Sequence, residues 1–329
     1  MLKKLLLMLA LGVTAMHSGA VTLKISTAYP DGTGILNIYK AAAKQVKEQT
    51  EGRVLFKFYP GGVMGDDRSV LRKIRIGQLH GAIVQTGLFA DIFKDGQIYN
   101  APMLFHSYDE VDYVRQRFDD VIVSEYQKKG WKTFGLLEGG FAYLVSVNPV
   151  KSRSELSAQK FWIPSNDAIS EKISNAFNIS PIILGYGEVK TALETGAIDA
   201  LASPPIATIT MQWFTKVKYL TDLPFMYTAA TLAINNKAYS KISDEDRVIV
   251  DEIFKSATQE LDNLNRTDNV KAYDALLNQG IAVVSMSDAE RSELLAESVS
   301  ANVKLIEMGE FSQEVYDQVN QWLTEYRSQ

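Results

Sequence analysis

Two distant stretches of this chain carry the same punctuation. Residues 74–83 read Ile-Arg-Ile-Gly-Gln-Leu-His-Gly-Ala-Ile, and residues 193–201 read Leu-Glu-Thr-Gly-Ala-Ile-Asp-Ala-Leu. Each is a helix end, a glycine stop at Gly77 or Gly196, one residue, a branched apolar residue, a polar residue, then a small residue that opens a strand. Similar elements surround both. Before the first stop the pattern predicts a strand over 21–28, a helix over 35–48, a strand over 54–59 and a helix over 66–76; a strand over 82–84 follows. Around the second it predicts strands over 160–163, 182–184 and 198–201, with helices over 168–177 and 187–194. Such alternation predicts an α/β chain with parallel strands and right-handed crossovers. Its recurrence predicts two similar lobes.

A long helix is expected after the second lobe. Ser243 with Asp246 resembles a capping box. Val248, Ile253, Phe254, Ala257, Leu261 and Leu264 begin a helical spacing that continues to Leu277 and stops at Gly280. At 1.5 Å per residue it would span roughly 50 Å, enough to run along both lobes. A strand over 281–285 and terminal helices over 288–326 complete the chain.

The first twenty residues have a different character. Lys3 and Lys4 precede an apolar run over 5–13, and Ser18-Gly19-Ala20 supplies small residues for cleavage. This predicts a signal peptide over 1–20, cut after Ala20, rather than a buried first helix. The formal charge of −5 becomes −7 without the two lysines, which gives no reason to expect nucleic acid as a partner. No later stretch is long and apolar enough to span a bilayer. With no cysteine, thiolate metal sites, disulfides and cysteine nucleophiles are excluded. The expectation is a periplasmic protein that is not itself embedded in a membrane.

Catalytic patterns are scarce. The chain past residue 20 holds two histidines, His80 and His106. His80 fills the polar slot of the glycine-stop pattern, where Asp199 stands in the second copy, so its reading is structural. GxSxG, HExxH, GxxxxGK[ST] and GxGxxG are absent. Asp66-Asp67 reads as a helix N-cap rather than a metal pair. No enzyme activity, metal or cofactor is expected. Aromatic and amphipathic residues instead gather at strand ends and in loops, the makings of a concave ligand pocket. The candidate ligand-binding residues are Tyr29, Gln85, Thr86, Phe89, Phe141, Tyr143, Trp162, Ser203 and Trp213. Core packing is the competing reading for each. Trp162 stands out because Lys160-Phe161-Trp162-Ile163-Pro164 reads as a short strand running into the helix-start signal Ser165-Asn166-Asp167. Open α/β sheets carry ligand contacts at such strand ends.

The ordered segments resemble the substrate-binding proteins of TRAP transporters, the C4-dicarboxylate-type periplasmic solute receptors. The matches are Tyr59-Pro60 with Gly65-Asp66, residues 77–82, Ala101-Pro102-Met103-Leu104-Phe105 with Asp109-Glu110, Gly140-Phe141, residues 151–160, Gly196-Ala197-Ile198-Asp199, and Lys218-Tyr219-Leu220-Thr221. The likeness covers nearly all of the chain past residue 21. It implies a two-lobed periplasmic-binding-protein fold with a ligand cleft between the lobes and a long helix spanning both. Lobe one would hold residues 21–146 with about 225–255, and lobe two residues 147–224 with about 256–329. The implied partners are a small-molecule ligand and the membrane permease subunits of a TRAP transporter.

The departures bear on the ligand. Where the family's strand carries a carboxylate-pairing arginine, this chain has Trp162. Where a second arginine follows the Gly-Phe pair, it has Ala142. Ala202-Ser203 replaces the family's Glu-Asn before Pro204. The planar fork that reads a carboxylate is therefore missing. This favours an apolar or aromatic ligand over a simple dicarboxylate or sialic acid. A cationic ligand, with Glu138 as its acid, and carboxylate recognition rebuilt from Lys160, Lys190 or another base remain alternatives. Two other functions stay open: a periplasmic carrier or sensor-presenting receptor for hydrophobic molecules, and an exported enzyme on the same fold.

Overall fold

The computed structural model describes residues 20–329 apart from Asn166. Lys3, Lys4, the 5–13 run, Ser18 and Gly19 lie outside the described residues, as does Asn166 in the Ser165-Asn166-Asp167 signal. Among the described residues, no helix is long and apolar enough to cross a membrane.

The strand-helix alternation forms as expected in both places. β1 (Val21–Thr27) lies between β2 (Val54–Tyr59) and β3 (Gly81–Gln85), parallel to both, with α1 (Gly34–Gln49) and α2 (Asp67–Arg75) as the connections. Asp66 caps α2, accepting from the Ser69 amide at 2.8 Å. The second wing repeats the scheme. β6 (Phe161–Pro164) lies between β7 (Ile182–Leu184) and β8 (Ala200–Ser203), with α5 (Ala168–Ala176) and α6 (Val189–Thr195) connecting them.

The glycine stops do the same job in each wing. Gly77 and Gly196 take φ of +76° and +70°, a conformation that favours glycine. The polar slot then pairs reciprocally with a lysine backbone. The His80 amide donates to the Lys24 carbonyl at 2.9 Å, and His80 Nδ1 accepts from the Lys24 amide at 3.0 Å. The Asp199 amide donates to the Lys160 carbonyl at 3.1 Å, and Asp199 Oδ1 accepts from the Lys160 amide at 2.6 Å. His80 and Asp199 are thus equivalent structural locks.

The centre of the sheet departs from the parallel expectation. β5 (Leu137–Ser146) and β9 (Tyr219–Asn235) run antiparallel to each other. β9 also runs antiparallel to β3, and β5 to β8. They join the wings into one ten-stranded sheet ordered β2-β1-β3-β9-β5-β8-β6-β7, with β4 (Trp131–Thr133) and β10 (Ala282–Val284) also on β9. The period-2 signal of β9 is hidden because much of it is buried on both faces. Asp222 and Pro224 also read as loop residues. The ladder tolerates Pro224 because the β5–β9 register shifts beside its partner Tyr143.

The helices cover this sheet. α3 (Tyr108–Lys128) packs on β4, α8 (Asn236–Tyr239) follows β9, and α4 (Arg153–Ser157) packs with α10 (Asp288–Glu307), which also packs on α5. The expected long helix is α9 (Asp244–Asn278). It lies against α1 in one wing, α7 (Pro205–Thr210) in the other, and β5 between them. Ser243 caps it by accepting from the Asp246 amide. α11 (Gln313–Arg327), in the segment expected with lobe two, lies on α3.

Polar side chains of α9 grip β5 where it crosses between wings. Asp262 accepts from the Glu138 amide at 2.7 Å, and Asn265 donates to the Glu138 carbonyl at 2.8 Å. Asn269 donates to the Gly139 carbonyl at 3.0 Å and accepts from the Ile206 amide of α7 at 3.2 Å. Gly140 has φ +94°, and a Cβ there would sit 2.5 Å from Asn269 Nδ2.

Gly140→Ala is therefore expected to destabilise the protein by about 2 kcal/mol through backbone strain and displacement of Asn269. Adding Asn269→Ala should recover part of the loss, a coupling read by denaturant unfolding of the two single variants and the double variant. A second test concerns Arg327, which donates to both Glu110 carboxylate oxygens at 2.8 and 2.9 Å. Burial pushes the Glu110 carboxyl up, but Arg327 and the His106 amide pull it further down, to below its ordinary range. A lowered carboxylate contributes stability above its unfolded value, near 4.3, and loses it as pH falls through the folded value. Arg327→Ala is expected to cost about 1–2 kcal/mol at pH 7, with the melting-temperature gap to wild type closing as pH falls toward 3.

Candidate functional site

A cavity of 310 Å³ opens between the two wings. Several of its walls are strand ends. Tyr29 follows β1, Gln85 ends β3, Pro164 ends β6 and Ser203 ends β8. β5 and β9 form the floor from Glu138 to Leu144 and from Thr221 to Thr228, and α9 contributes Asn265 and Asp268. Gly87, in the turn after β3, faces Asp167 and Ile169 of α5 across the rim. An added Cβ there would meet both side chains at 3.4 Å.

Five of the nine residues singled out in the sequence line this cavity: Tyr29, Gln85, Trp162, Ser203 and Trp213. The other four stand in the packing around it. The Thr86 hydroxyl donates to the Ala229 carbonyl at 3.1 Å, holding the turn after β3 to β9. Phe89 packs between Tyr126 and Trp131, each with centroids 5.0 Å away. Phe141 lies between Tyr108 and Tyr227, and Tyr143 meets Tyr273 edge-on. Phe141 and Tyr143 differ from the cavity-lining Ala142 and Leu144 by the one-residue alternation of a strand, which puts neighbours on opposite faces.

Trp162 serves both packing and lining. It is 3% exposed, and its Nε1 donates to the Leu184 carbonyl at 3.0 Å. Its ring meets Trp213 and Tyr186 edge-on at 5.4 Å, and those two rings stack at 6.3 Å. The result is a rigid three-ring wall whose indole donor is already used. Ala142, in the slot of the second expected arginine, also lines the cavity.

The charged lining residues are Glu138, Asp167 and Asp268; among the described residues, no lysine or arginine lines it. Glu138 Oε2 accepts from Arg266 at 2.5 Å, while Arg266 also pairs with Asp112. Arg115 stands 4.0 Å from the same oxygen and pairs with Asp119 and Asp262. Burial pushes the Glu138 carboxyl up against the pull of Arg266. Asp167 caps α5 by accepting from the Ser170 amide, and burial raises it too. Lys160 and Lys190, the bases considered as carboxylate readers, donate to the Gly196 carbonyl and the Gln212 side chain instead.

Two residues that sequence reasoning passed over, Asn265 and Asp268, come from α9. A signal for that helix was present. Asp262, Asn265, Arg266 and Asn269 make a polar stripe at i, i+3, i+4, i+7 beside an apolar face. A polar stripe with that spacing on a core helix marks a second buried contact, here β5 and the cavity floor.

Known proteins agree with this architecture. The profile of the bacterial extracellular solute-binding protein family 7 matches residues 25–306. The sialic acid-binding periplasmic protein SiaP of Vibrio cholerae is 25% identical over 276 residues, 82% of this chain and 83% of that protein. The C4-dicarboxylate-binding periplasmic protein DctP of Rhodobacter capsulatus is 22% identical, over 76% of this chain and 74% of that one. A TRAP periplasmic solute-binding protein from Haemophilus influenzae, solved with bound L-gulonate, superposes with a TM-score of 0.82 at 19% identity, covering 92% of this chain and 99% of that one. These are substrate-binding receptors rather than enzymes, and the chain belongs to family 7 of the bacterial extracellular solute-binding proteins, the TRAP-type receptors.

Proposed function

We propose that this protein captures a small organic solute in the interlobe cavity and delivers it to the membrane permease of a TRAP-type transporter, and that the solute is not a simple dicarboxylate or sugar acid. The observation that carries the ligand reading is the cavity wall. Trp162 and Ala142 occupy the two slots where the family resemblance expects arginine, and the charged lining residues are all acidic. Desolvating a carboxylate beside acidic side chains, with no lysine or arginine among the described lining residues, would cost several kcal/mol. The aromatic wall of Trp162, Tyr186 and Trp213 suits an apolar or aromatic body instead. A volume of 310 Å³ is at the small end for ligand sites, which favours a compact solute over the acyl chains of a lipid carrier.

This reading parts from the named relatives, whose names and bound molecules are sialic acid, C4-dicarboxylates and L-gulonate. Native mass spectrometry of protein purified from its own periplasm tests the difference directly. The expected result is a trapped solute without a free carboxylate as its main recognition group; bound succinate, malate or a sialic acid would sink it. Thermal shift gives a second check, since a true ligand at a hundredfold excess over Kd adds about 2.7 kcal/mol. Trp162→Ala would also open a core cavity at a cost of about 3–5 kcal/mol. Trp162→Phe is the cleaner variant, and it should weaken the trapped solute about tenfold while leaving the unliganded protein folded.

A further inference from the structure

The cavity does not end at the cleft. Along α5 its lining recurs at Ile169, Ile173 and Phe177, one helical face at a spacing of four residues. Asp167 is the N-cap of that helix, at the cleft rim, and Phe177 is its C-cap. At 1.5 Å per residue, the run from Asp167 to Phe177 carries the cavity about 15 Å into the second wing. There Phe177 meets Phe225, another lining residue, with ring centroids 5.4 Å apart. β6 adds Phe161 and Ile163 to the lining, and α10 adds Leu294. The alternation of β6 sends Phe161 and Ile163 to this face of the sheet and Trp162 to the other, and the two sets belong to separate cores. The three-ring wall is therefore one arm of the cavity, and the space along α5 is a second.

The hydroxyls along this second arm are already spent. Ser170, near its mouth, donates to Asp167 at 2.7 Å, and Ser174 and Thr221 donate to the Ser170 and Val150 carbonyls at 2.9 and 3.0 Å. What the arm offers a guest is hydrocarbon. Protein interiors leave few voids larger than a water molecule, and a dry apolar space takes apolar guests. A void that follows a whole helix and opens on a ligand cleft is therefore a subsite rather than loose packing. We infer that the solute carries a short alkyl or aryl group that enters the arm along α5, while its polar end stays at the cleft floor of β5 and β9. This deepens the receptor reading above and rests on it. Size limits the guest. A cavity of about 150 Å³ holds one benzene, so 310 Å³ shared between cleft and arms takes a ring or a short chain but not a long acyl chain. Specificity for this group lies with α5 and β6 rather than with the strand-end residues of the cleft.

The test uses the full chain, stripped of solute by refolding from denaturant, with the straight-chain alkanols from ethanol to octanol as probes. Affinity is measured by titration calorimetry. The expected result is a rise of about fourfold for each methylene that enters the arm, ending where the arm is full. Ile173→Phe narrows the arm from α5 and should end the rise at a shorter chain while leaving the shortest alkanols unchanged. Leu294→Phe narrows it from α10 and serves as the second variant where the first does not fold. A flat series in the wild type, or a rise that both narrowed variants keep in full, overturns the inference. Native mass spectrometry of protein from its own periplasm then separates this inference from the reading it rests on. A trapped solute that carries both a carboxylate and an alkyl or aryl group supports the arm and overturns only the exclusion of acids. A trapped solute without an alkyl or aryl group overturns the arm and leaves the receptor role intact.

Discussion

Everything in this molecule hangs on the antiparallel pairing of β5 with β9. Each strand belongs to both wings, so one hydrogen-bonded ladder carries the sheet across the space where the cavity opens. A continuous ladder would hold the wings in one plane. The register shifts at Gly140, Ala142 and Tyr143 interrupt it at the crossing, where bulges sharpen the local twist. α9 supplies what the interrupted ladder lacks. Its Asp262, Asn265 and Asn269 side chains satisfy backbone groups of Glu138 and Gly139 and tie them to α7. The cavity floor is therefore irregular in its backbone yet fixed in place, and Glu138 is presented from a bulge rather than from a regular strand.

The same crossing explains why the cavity can be apolar and acidic together. An isolated buried carboxylate would be prohibitive. Glu138 is tolerated because Arg266 and Arg115 reach its Oε2, in a network that also includes Asp112, Asp119 and Asp262. Opposite stands the ring wall of Trp162, Tyr186 and Trp213, which is itself part of the second wing's core. The site is thus assembled from two parts of the core that the fold needs in any case. Receptor and scaffold are hard to separate by truncating such residues.

The sequence made the wings legible because local chemistry fixes them. Gly77 and Gly196 stop helices at positive φ, and the following strands alternate or are short enough to read. The centre was not legible for a physical reason. β9 is buried on both faces over much of its length and carries Asp222 and Pro224, so neither period nor composition marks it as one strand. The cavity followed the same division. Strand-end residues such as Tyr29, Gln85, Trp162 and Ser203 fell where the topology aims them. Phe89, Phe141 and Tyr143 look identical in composition but point into packing, and only the register of β5 and the turn after β3 could tell them apart. Asn265 and Asp268 depended on which face of a two-sided helix meets the crossing.

The position of β9 in the chain has a kinetic consequence. The first wing has its three parallel strands, β2, β1 and β3, complete by Gln85, yet the edge of β3 is finished by residues 230–234. Until β9 arrives, that edge presents unpaired backbone groups, and the long-range contact that closes it is slow to form. The wing that begins the chain is therefore among the last parts to become finished structure.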